Sequence, residues 1–468
     1  MAEAQAPRAQ QPRAGVNVFD ETRPMWQLFA IFLVPLILSN ILQSASSLIS
    51  SIYLGRLIGV HALAAVSAIF PLLFFLISFL IGLSNGSTVL IGQAFGARDF
   101  HTMKKVAGTT LGASFWIAII VGALCVVFSQ DILRWIATPA DILHDSTVYS
   151  QWIFASSPVF FLYLVYTTFL RGTGDSQTPF YFLILSTAIA LVVTPAFIIG
   201  WFGLPKLGIV AAAVSFVLSQ TISFIALLVY LHIKKHPLRL DAETLRDAAV
   251  IDWSILWRVV KIGVPTALQI VMVSLAEIAV LSFVNRFGSS ATAAYGAVNQ
   301  VVAYVQFPAI SISIAASIFG AQCIGARRED KLSSVIHSAV GLNYLIGGFI
   351  IAVCYIFAWD ILGWFITDSG TLTTAHGLLM ITLWSYLLFG NSAVISGVMR
   401  ASGYVVWPTF NGIFAIWAIE VPAAYILMHY YGLTGVWMGY PIAFFVVLLL
   451  QTSLYTFVWK KRTHERLV

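Results

Sequence analysis

Apolar runs of about 20 residues recur along this chain, and nothing constrains its fold more. A helix of that length crosses a ~30 Å hydrocarbon layer. Twelve such runs are legible: 26–50, 61–84, 104–128, 150–170, 179–200, 208–231, 262–284, 292–318, 334–358, 374–398, 408–429 and 435–458. Composition agrees: 59% of the residues are hydrophobic and 9% charged, against about 25% charged in a soluble domain. A membrane β-barrel would need ~10-residue alternating segments instead. The fold class expected is therefore an all-α polytopic membrane protein of twelve transmembrane helices.

An even number of spans puts both termini on one side, and arginine and lysine decide which. With the termini in the cytoplasm, 21 basic residues fall in inner segments and four (Arg56, Arg134, Lys206 and Arg286) in outer loops. The reading is a multi-pass protein of the cell membrane, inner or plasma, with both termini cytoplasmic. The net charge of +6 is then a consequence of topology, and no nucleic-acid partner is expected. Residues 1–24 lack the apolar core of a signal peptide and read as a flexible tail. Cys125, Cys323 and Cys354 have no paired spacing, and the histidines have no ligand spacing. No disulfide, metal or cofactor is expected.

The motif "QAFGAR" at 93–98 returns as "QCIGAR" at 322–327. "LRGTGDSQTP" at 170–179 returns as "MRASGYVVWP" at 399–408, and "GVHALAA" at 59–65 as "GSSATAA" at 288–294. Asn40 and Gln269, each in the first helix of its half, keep the same register. Every pair is 229 residues apart, without gaps. Six helices separate equivalent points, so the halves keep one orientation and form parallel repeats, as in some secondary transporters. The domains expected are an N-terminal six-helix lobe over 25–231, a cytoplasmic linker over 232–261, a C-terminal lobe over 262–459 and a tail over 460–468. "DAETLRDAAVIDWSILWRVVKIG" within the linker reads as one amphipathic helix at the interface.

"GQAFGARD" after the second span, "LRGTGDSQTP" after the fourth and "PKLGIVAAAVSFVLSQ" entering the sixth resemble the multidrug and toxic compound extrusion (MATE) family. The resemblance covers nearly the whole chain. It implies two pseudo-symmetric six-helix lobes in a V around a cavity that opens to each side in turn. It also implies export of organic, often cationic, compounds driven by proton or sodium entry. The chain departs from the family pattern in its N-terminal half. Many members carry an aspartate where this chain has Ser50, and another before the fifth-helix proline, where it has Thr194 before Pro195. A seventh-helix glutamate in relatives lies nearer Val273, one turn before Glu277 here. Many have arginine where this chain has Glu420.

Of the 19 acids, only Glu277 and Glu420 fall within spans. A carboxylate at membrane depth is costly and usually faces a cavity or partner. It can load and release a proton, or stay charged and bind Na⁺; interfacial snorkelling or pairing with a neutral group is the structural alternative. These two are the candidates for cation coupling. Pro422, two residues after Glu420, leaves a carbonyl without its usual donor, offering a ligand or a kink.

Span one carries Asn40, Gln43 and Ser47 on one helical face, and span eight carries Tyr295, Asn299 and Gln306. With Gln269 these are candidates to line a substrate cavity; helix-to-helix glue is the competing reading. Trp417, one turn before Glu420, could stack on a cationic aromatic compound, or simply pack. Other tryptophans, Trp135, Trp152, Trp359 and Trp364 among them, sit near span ends as interface belts. Arg98, Arg327, Arg171 and Arg400 follow span ends and are assigned to helix termini and lobe contacts, with gating as the alternative.

The function expected is a cation-coupled antiporter acting on small organic substrates, working as a monomer among membrane lipids. A flippase for a lipid-linked or amphiphilic metabolite is the alternative, disfavoured because no lysine or arginine falls inside a span. No catalytic cluster argues for an enzyme, and no filter-like repeat for a channel.

Overall fold

The computed structural model describes residues 15–136, 138–464 and 466–468. Most of the expected N-terminal tail, residues 1–14, lies outside the described residues. Among those described there are helices and no strands. Eleven helices are long and apolar enough to cross a membrane, and a bent pair brings the number to twelve.

In chain order the spans are Met25–Ile58, Val60–Gly96, Phe100–Val127, the pair Ala140–Ala155 with Ser157–Gly172, Gln177–Ile199 and Val210–Ile233 in the first half. The second half has Trp253–Asn285, Ser289–Gly325, Glu329–Ile356, Ser369–Ala401, Val406–Tyr431 and Leu433–Lys461. They are called spans one to twelve below. Starting points repeat at the offset read from sequence: Val60 with Ser289, Phe100 with Glu329, Ala140 with Ser369, Gln177 with Val406. Spans two and eight are both 37 residues long, roughly 55 Å at 1.5 Å per residue. They outreach the apolar core, so the two glutamine–glycine motifs lie within their last turns rather than after them.

The halves differ where one residue changes backbone options. Span four bends by 52° at Ser156. Pro158 has no N–H and disfavours helix in the residue before it. The repeat-equivalent residue is Leu387, and span ten runs through as a single span.

The linker differs from expectation. It is not one helix: Ala242–Ala249 ends, Val250 turns out of helical geometry, and span seven starts at Trp253 rather than 262. Asp252 dictates the break as an N-cap, accepting from the N–H groups of Ser254 (2.9 Å) and Ile255 (3.1 Å). The short helix is pinned to span three. Lys104 Nζ lies 2.5 Å from Asp241 and 3.0 Å from Glu243, and Lys105 Nζ 2.7 Å from Asp252. Gly112 permits the approach, because a Cβ there would sit 2.1 Å from the Ala248 oxygen.

Spans two and eight cross at the end of the molecule that carries most of the basic residues, called here the basic end. A Cβ on Gly96 would lie 2.1 Å from the Gln322 oxygen, and one on Gly325 1.9 Å from the Gln93 oxygen. Each glutamine then reaches into the other lobe. Gln93 Nε2 donates to the Ala401 carbonyl at 2.7 Å, and Gln322 Nε2 to Gly172 at 3.0 Å. Gly172 and Ala401 are themselves repeat-equivalent, so one contact is made twice about a pseudo-twofold axis.

Candidate functional site

The site grows from an irregular turn in span eleven. Pro422 cannot donate to the carbonyl one turn back, at Ala418. Just before it the helix widens into a π turn over Ala415–Glu420, a distortion often found where function needs a side chain re-aimed. Glu420 ends that turn and is 4% exposed.

Glu277, on span seven, is exposed, and span seven is bonded to the π turn that ends at Glu420 through Trp417 and the Met272 carbonyl. No ion pair involves either carboxylate among the described residues. The arrangement is a buried acid and an accessible one in the same lobe, with no cation paired to either among the described residues. An uncompensated buried carboxylate is costly, and protonation or a bound cation would remove that cost.

Tyrosines from three further spans surround the acids. Tyr295, Tyr386 and Tyr440 are buried and sit in the field of Glu420. The Tyr295 and Tyr440 hydroxyls are 3.4 Å apart. The Asn299 amide sits beside Tyr295, and the Gln306 amide beside Tyr386. Aromatic packing holds the hydroxyls in place: Tyr295 against Trp437 at 5.1 Å, and Tyr386 against Phe444 at 5.1 Å. The polar face of span eight therefore looks into the C-terminal lobe, towards the acids.

Tyr386 and Tyr440 are absent from the sequence reading, which sorted charges and polar stripes. Their signal was available: a tyrosine deep in a span needs a partner for its hydroxyl.

Other candidates are placed elsewhere. Asn40 spends its amide on Ser311 of span eight, 3.1 Å across the lobe boundary, which is the glue reading. Gln43 and Ser47 continue that face and are exposed. Gln269 packs on Gly412 of span eleven, where a Cβ would lie 2.5 Å from its Nε2. Trp417 gives its indole N–H to the Met272 carbonyl at 3.2 Å, tying span eleven to span seven beside Glu277. Trp135 and Trp364, at 85% and 79% exposed, have the exposure of interface-belt residues.

The arginines divide into two pairs. Arg98 and Arg327 are exposed and adopt left-handed geometry, φ 58° and 56°. Their backbones end spans two and eight in matched turns that close from Asp99 N–H to the Ala94 carbonyl and from Arg328 N–H to that of Cys323. Arg171 and Arg400 correct the sequence reading that no basic residue lies in a span. They fall in the last turns of Ser157–Gly172 and Tyr386–Ala401 and point inward. Arg400 donates to Ser313 Oγ at 3.2 Å. Arg171 lies near Tyr163, and its Nε has no protein partner among the described residues.

A family model described as MatE matches twice, over residues 35–196 and 265–426. The two matches are equal in length and together cover more than half the chain. The chain belongs to the MatE family. This MatE protein is 52% identical to the probable multidrug resistance protein YoeA of Bacillus subtilis, over 95% of its own length and 96% of that protein's. At 23% identity it is similar to the multidrug export protein MepA of Staphylococcus aureus, over 89% of the chain and 90% of that protein. A crystal structure of a mutant of the Vibrio cholerae MATE transporter VcmN matches with a TM-score of 0.86 at 17% identity, covering 94% of this chain and 98% of that one. At such identity the likeness speaks for the two-lobed fold alone. The MatE protein is a polytopic membrane transporter and not an enzyme.

Proposed function

We propose that this MatE protein is a cation-coupled antiporter, driven by protons or sodium, that exports organic compounds across the cell membrane by alternating access. Its basic end, with both termini, faces the cytoplasm. Coupling resides in the C-terminal lobe: Glu420 carries the ion or proton, and Glu277 gives it access to the cleft. The observation that carries this reading is Glu420, 4% exposed in the C-terminal lobe and without an ion-pair partner among the described residues.

The names of YoeA and MepA, with multidrug resistance and export in them, support organic compounds as cargo. Two carboxylates among aromatic rings suit cationic or amphiphilic substrates. The flippase alternative would want a basic centre. The basic residues within spans four and ten lie in their final turns, while the middle of the molecule holds acids.

The test is transport by the purified protein in proteoliposomes, with a pH or a sodium gradient imposed in separate experiments. Export of a cationic dye should follow one gradient and collapse in Glu420→Gln. A dye flux indifferent to both gradients, or unchanged in Glu420→Gln and Glu277→Gln alike, would overturn the coupling assignment.

A further inference from the structure

The segments that flank the spans do not trail away from the basic end; they are bound to it. Beyond span twelve, Trp459 is buried and its indole N–H donates to Ser402 Oγ at 2.8 Å. Its ring stacks on His464 at 4.0 Å. Arg462 lies over the Tyr404 ring at 5.0 Å. The Leu467 N–H then donates to Gln93 Oε1 at 2.8 Å, and its carbonyl accepts from the Arg258 guanidinium. Its side chain covers Gly403, where a Cβ would lie 2.8 Å from Leu467 Cδ1.

Gln93 belongs to the N-terminal lobe, and Arg258, Ser402 and Gly403 to the C-terminal one. The strap therefore bonds to both lobes. It does so at an amide that already bridges them, since the other end of Gln93 holds Ala401.

The segment before span one does the matching thing on the other side of the axis. The Val16 N–H donates to the Gly174 carbonyl at 2.9 Å, and Gly15 packs on the Gly174 backbone. Gly174 and Gly403 are repeat-equivalent, and both have positive φ, 87° and 76°. Val18 is 1% exposed in the core, and Glu21 reaches to 4.0 Å from Arg328 at the end of span eight. Two unrelated sequences thus occupy equivalent grooves, one beside Gln93 and one beside Gln322.

We propose that the two segments form a paired latch across the lobe seam at the basic end, and that residues 459–468 are its releasable half. For the lobes to part on that side, the Leu467 N–H must leave Gln93 and its side chain must leave Gly403. A latch that binds one state and not the other shifts the ratio of the two by its own binding free energy. Whatever engages the free strap would therefore set how often the transporter opens at its basic end. This rests on the alternating-access reading above, but its test does not depend on transport.

Spin labels at Phe100→Cys and Glu329→Cys, repeat-equivalent positions at the starts of spans three and nine, report lobe separation at the basic end. The native Cys125, Cys323 and Cys354 are replaced by alanine, and the labelled protein is studied in nanodiscs by pulsed dipolar spectroscopy. Removing residues 463–468 should raise the long-distance population about fivefold, equivalent to roughly 1 kcal/mol. Leu467→Pro removes the N–H donated to Gln93 and the leucine side chain over Gly403 while keeping the rest of the strap, and should give a shift of the same sign no larger than the truncation; its melting temperature in detergent controls for folding. Distance distributions that match the parent in both variants overturn the latch. A shift in both, with export indifferent to either gradient, keeps the latch and discards the coupling reading.

Discussion

The two lobes share a frame down to single backbone angles, and they hold different chemistry. Gly59 and Gly288 cap spans two and eight with φ 126° and 92° and ψ 177° and 176°. Arg98 and Arg327 end the same spans within 2° of each other in φ. The interiors diverge. The C-terminal lobe encloses Glu420, with Tyr295, Tyr386 and Tyr440 around it. Among the described residues of the N-terminal lobe the buried acid is Asp175, after span four, and its carboxylate is taken up by the Thr178 N–H and hydroxyl. That lobe also buries Ser84, Thr109, Ser114, Tyr163 and Ser223 with polar atoms that lack protein partners among the described residues. Duplication copies what the backbone needs, namely caps, crossings and close approaches, because any change there breaks packing in both halves. Side chains that face a lobe interior are free to diverge.

The sharpest way to break this comparison is Glu420→Gln. Gradient-driven export should fall to background while the protein melts close to the parent temperature. Glu277→Gln should leave a residual rate, because the accessible acid serves the buried one. Loss of coupling on substituting N-lobe hydroxyls such as Ser84→Ala or Tyr163→Phe, with both glutamine variants active, would reverse the assignment of chemistry to lobes.

The shared frame is tested at the crossing. Gly96→Ala and Gly325→Ala each force a Cβ to about 2 Å from a carbonyl oxygen of the other lobe. Overpacking of this kind costs roughly 1–3 kcal/mol or more. The two variants should lower the melting temperature by similar amounts; a large effect in one alone would deny the pseudo-twofold seam.

A smaller effect separates the lobes at their surfaces. Burial pushes the Asp241 carboxyl up, but bonds from Lys104 and from the Thr244 N–H and hydroxyl outweigh it and hold the group at about 2. A carboxyl held below its ordinary value of 3.8 adds stability above that value and loses it as pH falls through about 2. Lys104→Met should remove on the order of 1 kcal/mol at neutral pH, and the deficit should vanish in acid. In the other lobe, Arg328→Gln removes an exposed pair with Asp330 and should leave the melting temperature unchanged. On export the expected effect is nil for Trp417→Phe, which loses one hydrogen bond to Met272, about 1 kcal/mol of stability.

Much of this was legible in the chain. The spans follow from apolar length, and the parallel duplication from one offset kept over 140 residues of motif. Glu277 and Glu420 stood out because carboxylates are scarce at membrane depth. The misreadings have a common origin. Asp252 reads as one more charge in an amphipathic stretch until its carboxylate is seen to cap span seven. Arg171 and Arg400 read as span-end residues because hydropathy cannot say which way a last-turn side chain turns. Asn40 and Tyr295 looked alike as members of polar stripes, and only their neighbours separate them: Ser311 across the seam for one, Tyr440 within a lobe for the other.

By itself the sequence determined the membrane class, the number of spans and the repeat, because each depends on composition and period along one chain. Tertiary structure alone decided which polar groups meet. It brings Glu420 to Glu277 and two unforeseen tyrosines, and it folds Leu467 back to Gln93, 374 residues away. Contacts of that reach depend on how helices cross, and a crossing leaves no period in the sequence to read.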